Sequence, residues 1–319
     1  MNEIERLIPS FEANNAKAYV NGTEIISGQT VLDFTNPVTM YVTNGKVQKA
    51  YTIVVNTTGL PVFVIQTPEQ KEIQSKEEWL KYCDVCLVDT NGVIFYQNDS
   101  LQIKGRGNST WEYPKQSYSI KLLKRFDLIG GGAKHKRWVL LANYLDRTLL
   151  RNDVALYATR QTDMDWIPSG EFVELVLNNK HLGNYYLCEQ IRVDNNRVNI
   201  KEMTVDDVAG ENVTGGYLVE LDNNFDEINK FKSSIRQLPY MFKNPDEDVL
   251  QPEQFKYFQD YVNAFETALY KDDWLESGDF RDYIDYSSFA DFWIVYELAK
   301  SHEPRNLEAA TCIKTGTES

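Results

Sequence analysis

No run of about 18 apolar residues occurs anywhere in the chain, so no segment reads as a membrane-spanning helix. Its first ten residues, MNEIERLIPS, lack a basic stretch followed by an apolar one, and no secretory leader is read in them. A protein whose leader had been removed would present the same start. Cysteine is scarce: Cys83, Cys86, Cys188 and Cys312 cannot form a disulfide framework for 319 residues, which leaves the redox compartment open. Cys83 and Cys86 form a C-x-x-C, but no second one completes a zinc site. YCDVCLVD also alternates like a strand, which sends positions three apart to opposite faces, so the two thiols are read as sheet residues. Positive charge is in deficit too. Against 47 Asp and Glu stand 33 Lys and Arg, a net charge of −14 that repels nucleic acid and anionic membrane, so any phosphate site has to be local.

What is present is enough for a core: 42% hydrophobic residues, with 13% aromatics, in a length that suits two domains. Residues 1–66 are short β-like runs (AKAYVNG, VTMYVTNG, AYTIVVN) joined by Asn-Gly and Asn-Pro turn signals with no helical period, and are expected to form a small all-β sandwich. From LPVFVIQT onward strands mix with helices. EQFKYFQDYVNAFETALYK places Phe255, Phe258, Val262, Phe265 and Leu269 at helical spacing, and YSSFADFWIVYELAKS does so with Phe289, Phe292, Trp293 and Tyr296. FVELVLNNKHLGNYYLCEQI, two apolar runs about NNKHLG, reads as a β-hairpin. Residues 67–319 are therefore expected to be an α+β domain.

The stretch IKGRGNSTWEYPKQSYSIKL, residues 103–122, carries the chemistry-bearing candidates. Gly105 and Gly107 permit close backbone approach, consecutive N–H groups in such a turn make an anion-binding concavity, and Arg106 adds a planar fork suited to phosphate. The following strand alternates, with Tyr118, Ile120 and Leu122 on one face and Ser117, Ser119 and Lys121 on the other. A glycine-rich turn followed by a strand lysine is how protein kinases hold ATP phosphates. On that reading Arg106 and Lys121 lie within a few ångströms on one cleft wall. The other reading is a tight structural turn with Lys121 on a solvated sheet face.

Read together, GRGNSTW, PKQSYSIKL, WVLLANYLDRTLLRNDVALYATRQ, VELVLNNKHLGNYYLCEQI and GGYLVELD resemble, in order, the segments of the spore-coat protein H (CotH) kinase family. The resemblance implies an atypical protein-kinase-like domain that transfers phosphate from ATP, with Mg or Mn, to serine residues of a protein substrate. It implies that Arg106, Asn108, Lys115 and Lys121 contact the nucleotide, that Glu189 holds a cation, and that Glu303 in SHEPRN is the catalytic acid. Glu220 and Asp222 are either metal-directed or solvated at a strand end, and the metal ligands stay unassigned. The family's Ser-x-Tyr-Met-Tyr-Lys and Trp-Asp-Phe-Asp segments do not follow Glu303. The domain is expected to be truncated there, by a frameshift near residues 304–309, with a poorly packed tail, an incomplete metal site and impaired transfer. Residues 1–66 resemble the immunoglobulin-like modules of Bacteroidetes surface proteins, which implies an extracytoplasmic, secreted or lipid-anchored parent. The alternative is a non-catalytic surface adhesion or carbohydrate-associated module on the same scaffold.

Overall fold

A computed structural model describes residues 3–55, 58–299 and 310–315. The chain divides into two compact units, residues 1–147 with 170–190 and residues 148–169 with 191–319. No helix among the described residues is long and apolar enough to cross a membrane.

The first unit opens with a four-stranded antiparallel sheet of β1 (Lys17–Val20), β2 (Thr23–Ile25), β3 (Val38–Thr43) and β4 (Gln48–Ile53), in the order β2-β1-β3-β4. Asn21 and Gly22, both at positive φ, form the two-residue turn between β1 and β2, which matches the right-handed strand twist. Ala18, Val20, Ile25 and Met40 are buried together, covered by Phe11 and Leu32. Leu7 and Leu32 exchange both backbone hydrogen bonds, at 3.0 and 2.8 Å. The described part of residues 1–55 thus holds one sheet and a single bridge, where sequence patterning anticipates a sandwich.

The next strand, β5 (Val62–Gln66), lies inside the span expected for that module but is a stave of a closed barrel. The other staves are β6 (Leu80–Val88), β7 (Ile94–Arg106), β8 (Ser117–Phe126), β9 (His135–Leu141), β10 (Gly170–Leu177) and β11 (Lys180–Glu189), in the order β10-β11-β9-β8-β7-β6-β5. All neighbours are antiparallel except β5 and β10, whose parallel pairing (Val62 opposite Glu174 through Ile65 opposite Leu177) closes the ring. Phe63, Ile103, Ile120, Trp138, Leu175 and Leu187 fill the interior. Alternation turns Cys83 inward and leaves Cys86 half-buried, as the strand reading of C-x-x-C requires, and burial pushes the Cys83 thiol up to about 11. The anticipated hairpin is β10–β11, turned by Asn178 and Asn179 at positive φ.

The second unit holds α1 (Arg151–Thr159), then β12 (Tyr217–Leu221), β13 (Lys230–Lys232) and β14 (Pro239–Asn244), then α2 (Pro252–Leu269), α3 (Trp274–Ser277), α4 (Tyr286–Ala299) and β15 (Ala310–Lys314). Its sheet runs β13-β14-β12-β15. Pro252 opens α2, Gln251 and Gln254 cap it reciprocally, and Phe258 and Val262 pack onto Phe231, Tyr240 and Phe242. α4 forms where expected, yet only Val295 in it is buried, and Trp293 is 60% and Leu298 67% exposed. Its apolar residues surround the whole helix, so cover on one side leaves the others bare. Residues 310–314 pair antiparallel along β12, Tyr217 opposite Lys314 through Leu221 opposite Ala310.

Closure through β5 predicts where the chain can be cut. A fragment starting at Pro61 keeps Phe63 and Ile65 and is expected to melt cooperatively. One starting at Thr67 loses two core side chains, each worth about 2–5 kcal/mol, and is expected to lose its sharp transition in circular dichroism melts. Equal melting of the two fragments would show that β5 is dispensable.

Candidate functional site

The β7–β8 connection is a packed turn. Gly105 donates its N–H to the Ser75 carbonyl at 2.8 Å and lies directly under the Trp111 indole, where any Cβ would overlap the ring. Gly107, at φ +110°, lies against the Thr110 hydroxyl. Residues Ser109–Glu112 make one 3-10 turn, and Trp111 meets Tyr118 edge-on with ring centroids 6.5 Å apart. The two glycines therefore admit an indole, whereas the sequence suggested admission of a ligand. Arg106 and Asn108 are exposed on this turn.

Lys115 leaves the same turn and enters a different environment. Its ammonium donates to the Asn184 carbonyl and lies 4.6 Å from the centroid of Tyr185, whose hydroxyl donates to the Gln116 carbonyl at 3.0 Å. Burial holds the Lys115 pKa below the ordinary lysine value, and Glu174 opposes that shift. Glu174 is itself buried on β10, with an oxygen 2.6 Å from Nε2 of His181. The His181 hydrogen bond holds the Glu174 carboxyl below the usual range against the effect of burial, with help from Thr58 and Lys115. Glu174 and His181 line a small cavity of about 40 Å³ with Phe34, Asn36, Thr58 and Val62. Neither was singled out from sequence. The available signal was a carboxylate inside the apolar run FVELVL with a histidine just past the hairpin turn.

Lys121 and Glu189 go elsewhere. Arg106 pairs with Ser117 and Gln102 with Lys121, so Lys121 stands four residues along β8, about 13 Å from the Arg106 pairing at roughly 3.4 Å per residue. The expected common cleft wall is thus corrected by register. Ile120 and Trp138 point inward and are fully buried, which puts Lys121 and its cross-strand partner Arg137 on the outer surface of the barrel. Arg137, followed by burial, Lys136 and Lys81, lowers the Lys121 pKa. Glu189 pairs with Trp138, is buried, and accepts the Ala133 N–H at 3.1 Å. It shares the inward alternation of Trp138, so the barrel wall separates it from Lys121. Asn184, which holds Lys115, is five residues from Glu189 on β11, about 17 Å at that same rise. Of the nucleotide candidates, Arg106, Asn108 and Lys115 share one end of the barrel, while Lys121 and Glu189 do not join them. Glu303 lies outside the described residues.

The family resemblance implies a divalent cation, for which Glu220 and Asp222 are the acidic candidates. Glu220 is paired with Lys243 at 2.8 Å, and Asp222 is buried and accepts the Asn224 N–H at 2.9 Å. Among the described residues, no three His, Cys, Asp or Glu side chains are grouped to hold a metal ion. Compared with known proteins, residues 103–305 match the family model described as CotH kinase protein, a span that starts on β7 and runs past α4. No curated protein matches the chain.

Because the folded pKa of Glu174 is lowered, the stability it contributes is complete above the unfolded value near 4.5 and is lost as pH falls through the folded one. Glu174→Gln is expected to flatten the acid limb of the melting-temperature profile below about pH 4.5. An unchanged acid limb would remove this carboxylate from the ledger.

Proposed function

We propose, from the premise that this chain belongs to the CotH kinase protein family, that it is a kinase-like protein that binds nucleotide phosphates at the Lys115 end of the barrel and transfers phosphate poorly. The observation that carries the reading is the family match, which begins two residues before the Gly-Arg-Gly segment and includes it. The geometry around Lys115 supports placing the site there. A lysine whose ammonium is half-buried and gives one N–H to a fixed carbonyl is pre-positioned, and its other donors suit an anion better than water does. Arg106 and Asn108, on the adjoining turn, add a guanidinium fork and an amide.

ATP with Mg or Mn would supply the phosphoryl group and the charge neutralisation its transfer requires. This chain's own residues orient and bind: Tyr185 fixes the Gln116 carbonyl, Asn184 fixes the Lys115 ammonium, and Trp111 holds the turn. Among the described residues, no group of three His, Cys, Asp or Glu side chains stands ready to hold that cation. That same disagreement favours the second reading, a surface-exposed, extracytoplasmic binding module that keeps the scaffold without the chemistry. A serine-bearing protein is the acceptor on the first reading and a docked ligand on the second.

ATP with Mg or Mn is expected to raise the melting temperature, by the equivalent of about 2.7 kcal/mol at 100 times the dissociation constant. Lys115→Met should abolish the rise and Lys121→Ala should preserve it, while phosphoserine on a serine-rich protein stays undetectable. No nucleotide-induced rise in the unaltered chain, or a rise that survives Lys115→Met, would overturn the proposed site.

A further inference from the structure

The outer face of the barrel that carries Lys121 gathers several cations. Lys121 and Arg137 are cross-strand partners on β8 and β9, and Gln102 continues the row onto β7. Lys104, paired with Ser119, stands two residues along. Trp79, just ahead of β6, ties the face together, since the Lys104 ammonium is 5.3 Å and the Arg137 guanidinium 4.8 Å from its ring centroid. Lys81 and Lys136 are near enough to act on Lys121, and every charged group with a resolved effect on that lysine is a cation. Such a gathering stands against the trend of a chain with net charge −14. The interior behind it is filled by Ile103, Ile120 and Trp138, so the cations do not serve a cavity within the barrel.

We propose that this face docks a short acidic segment of a protein partner, recognised as clustered carboxylates by Lys81, Lys121 and Arg137. The shape selects this occupant. Nucleotides are held in concave sites that bury most of their surface, and the outside of a barrel wall is convex. Long polyanions meet the repulsion of the whole molecule outside the patch, which leaves a segment no longer than the patch itself. One exposed ion pair contributes little, so the ligand has to bring several carboxylates at once. The Trp79 contacts restrain Lys104 and Arg137, which lowers the ordering cost of recognition. Naming the partner a substrate rests on the kinase-family reading, whereas the docking does not.

Fluorescence anisotropy with a labelled oligoglutamate peptide and the full chain tests this. Expected are saturable binding that weakens as salt rises, a loss of about tenfold in affinity for Lys81→Glu combined with Lys121→Glu, and no change for Lys49→Glu on β4 combined with Lys46→Glu in the turn before it. Lys81→Gln with Lys121→Gln gives a milder second variant should charge reversal perturb folding. Absence of binding, equal loss in the β4 control, or binding of a single-stranded oligonucleotide as tight as that of the peptide would overturn the proposal. Displacement of the peptide by inorganic tripolyphosphate at lower concentration would overturn it also and mark the face as a phosphate site. Because Lys115→Met should leave peptide binding intact, failure here and failure of the nucleotide site are separable.

Discussion

The inside–outside alternation of the barrel staves governs where chemistry can sit in the first unit. Once Ile120 and Trp138 are committed to a filled interior, Lys121 and Arg137 have no choice but the outer surface, and Glu189 has none but the inner one. A barrel of this size packed with Phe63, Ile103 and Leu187 offers no lumen. Ligand chemistry is confined to its ends and its outside. The end that carries Lys115 is a rim of fixed carbonyls and rings, and the convex outside carries Lys121 and Arg137.

Much of this was legible in the sequence wherever the signal is local. The β10–β11 hairpin follows from two apolar runs and an Asn-Asn turn that tolerates positive φ. Helix α2 follows from Phe258 and Val262 at four-residue spacing with a proline at its start. What was not legible depends on pairing. Alternation in QSYSIKL correctly separates Lys121 from Ile120, but no residue in it reveals that Ser117, and not Lys121, faces Arg106. β5 reads as the end of one module because its partner, β10, begins more than a hundred residues later. The Gly-x-Gly pair was read as a cradle, and its glycines instead make room for the side chain of Trp111, an intrachain reason that spacing alone cannot distinguish from a ligand's. Glu174 illustrates the converse: a carboxylate in an apolar strand is a visible anomaly, but its partner is evident only after the turn has folded back.

Charge in this protein is arranged by locality. The acidic surplus sets a repulsive field for extended polyanions, and within it single cations are placed with opposite emphases: Lys115 is half-buried and constrained, Lys121 is surrounded by its own kind. Each raises the local cost of leaving an anion unbound, by desolvation in one case and by mutual repulsion in the other. The second unit shows a matching imbalance in hydrophobic surface, because α4 is apolar all round and spends most of that surface on solvent.

The parallel contact of β5 with β10 has a consequence for how the polypeptide emerges from the ribosome. β5 is synthesised first of the seven staves and its closing partner nearly last, so the nascent chain must carry an open, curling sheet with two unpaired edges while the intervening strands arrive. The four-stranded sheet of β1–β4 precedes β5 on the same chain and is complete by that time. Translation speed across the β6–β10 coding region, where no ring can yet close, therefore sets how long an adhesive edge stays exposed, and a pause there is the moment at which a neighbouring nascent chain could take the place of β10.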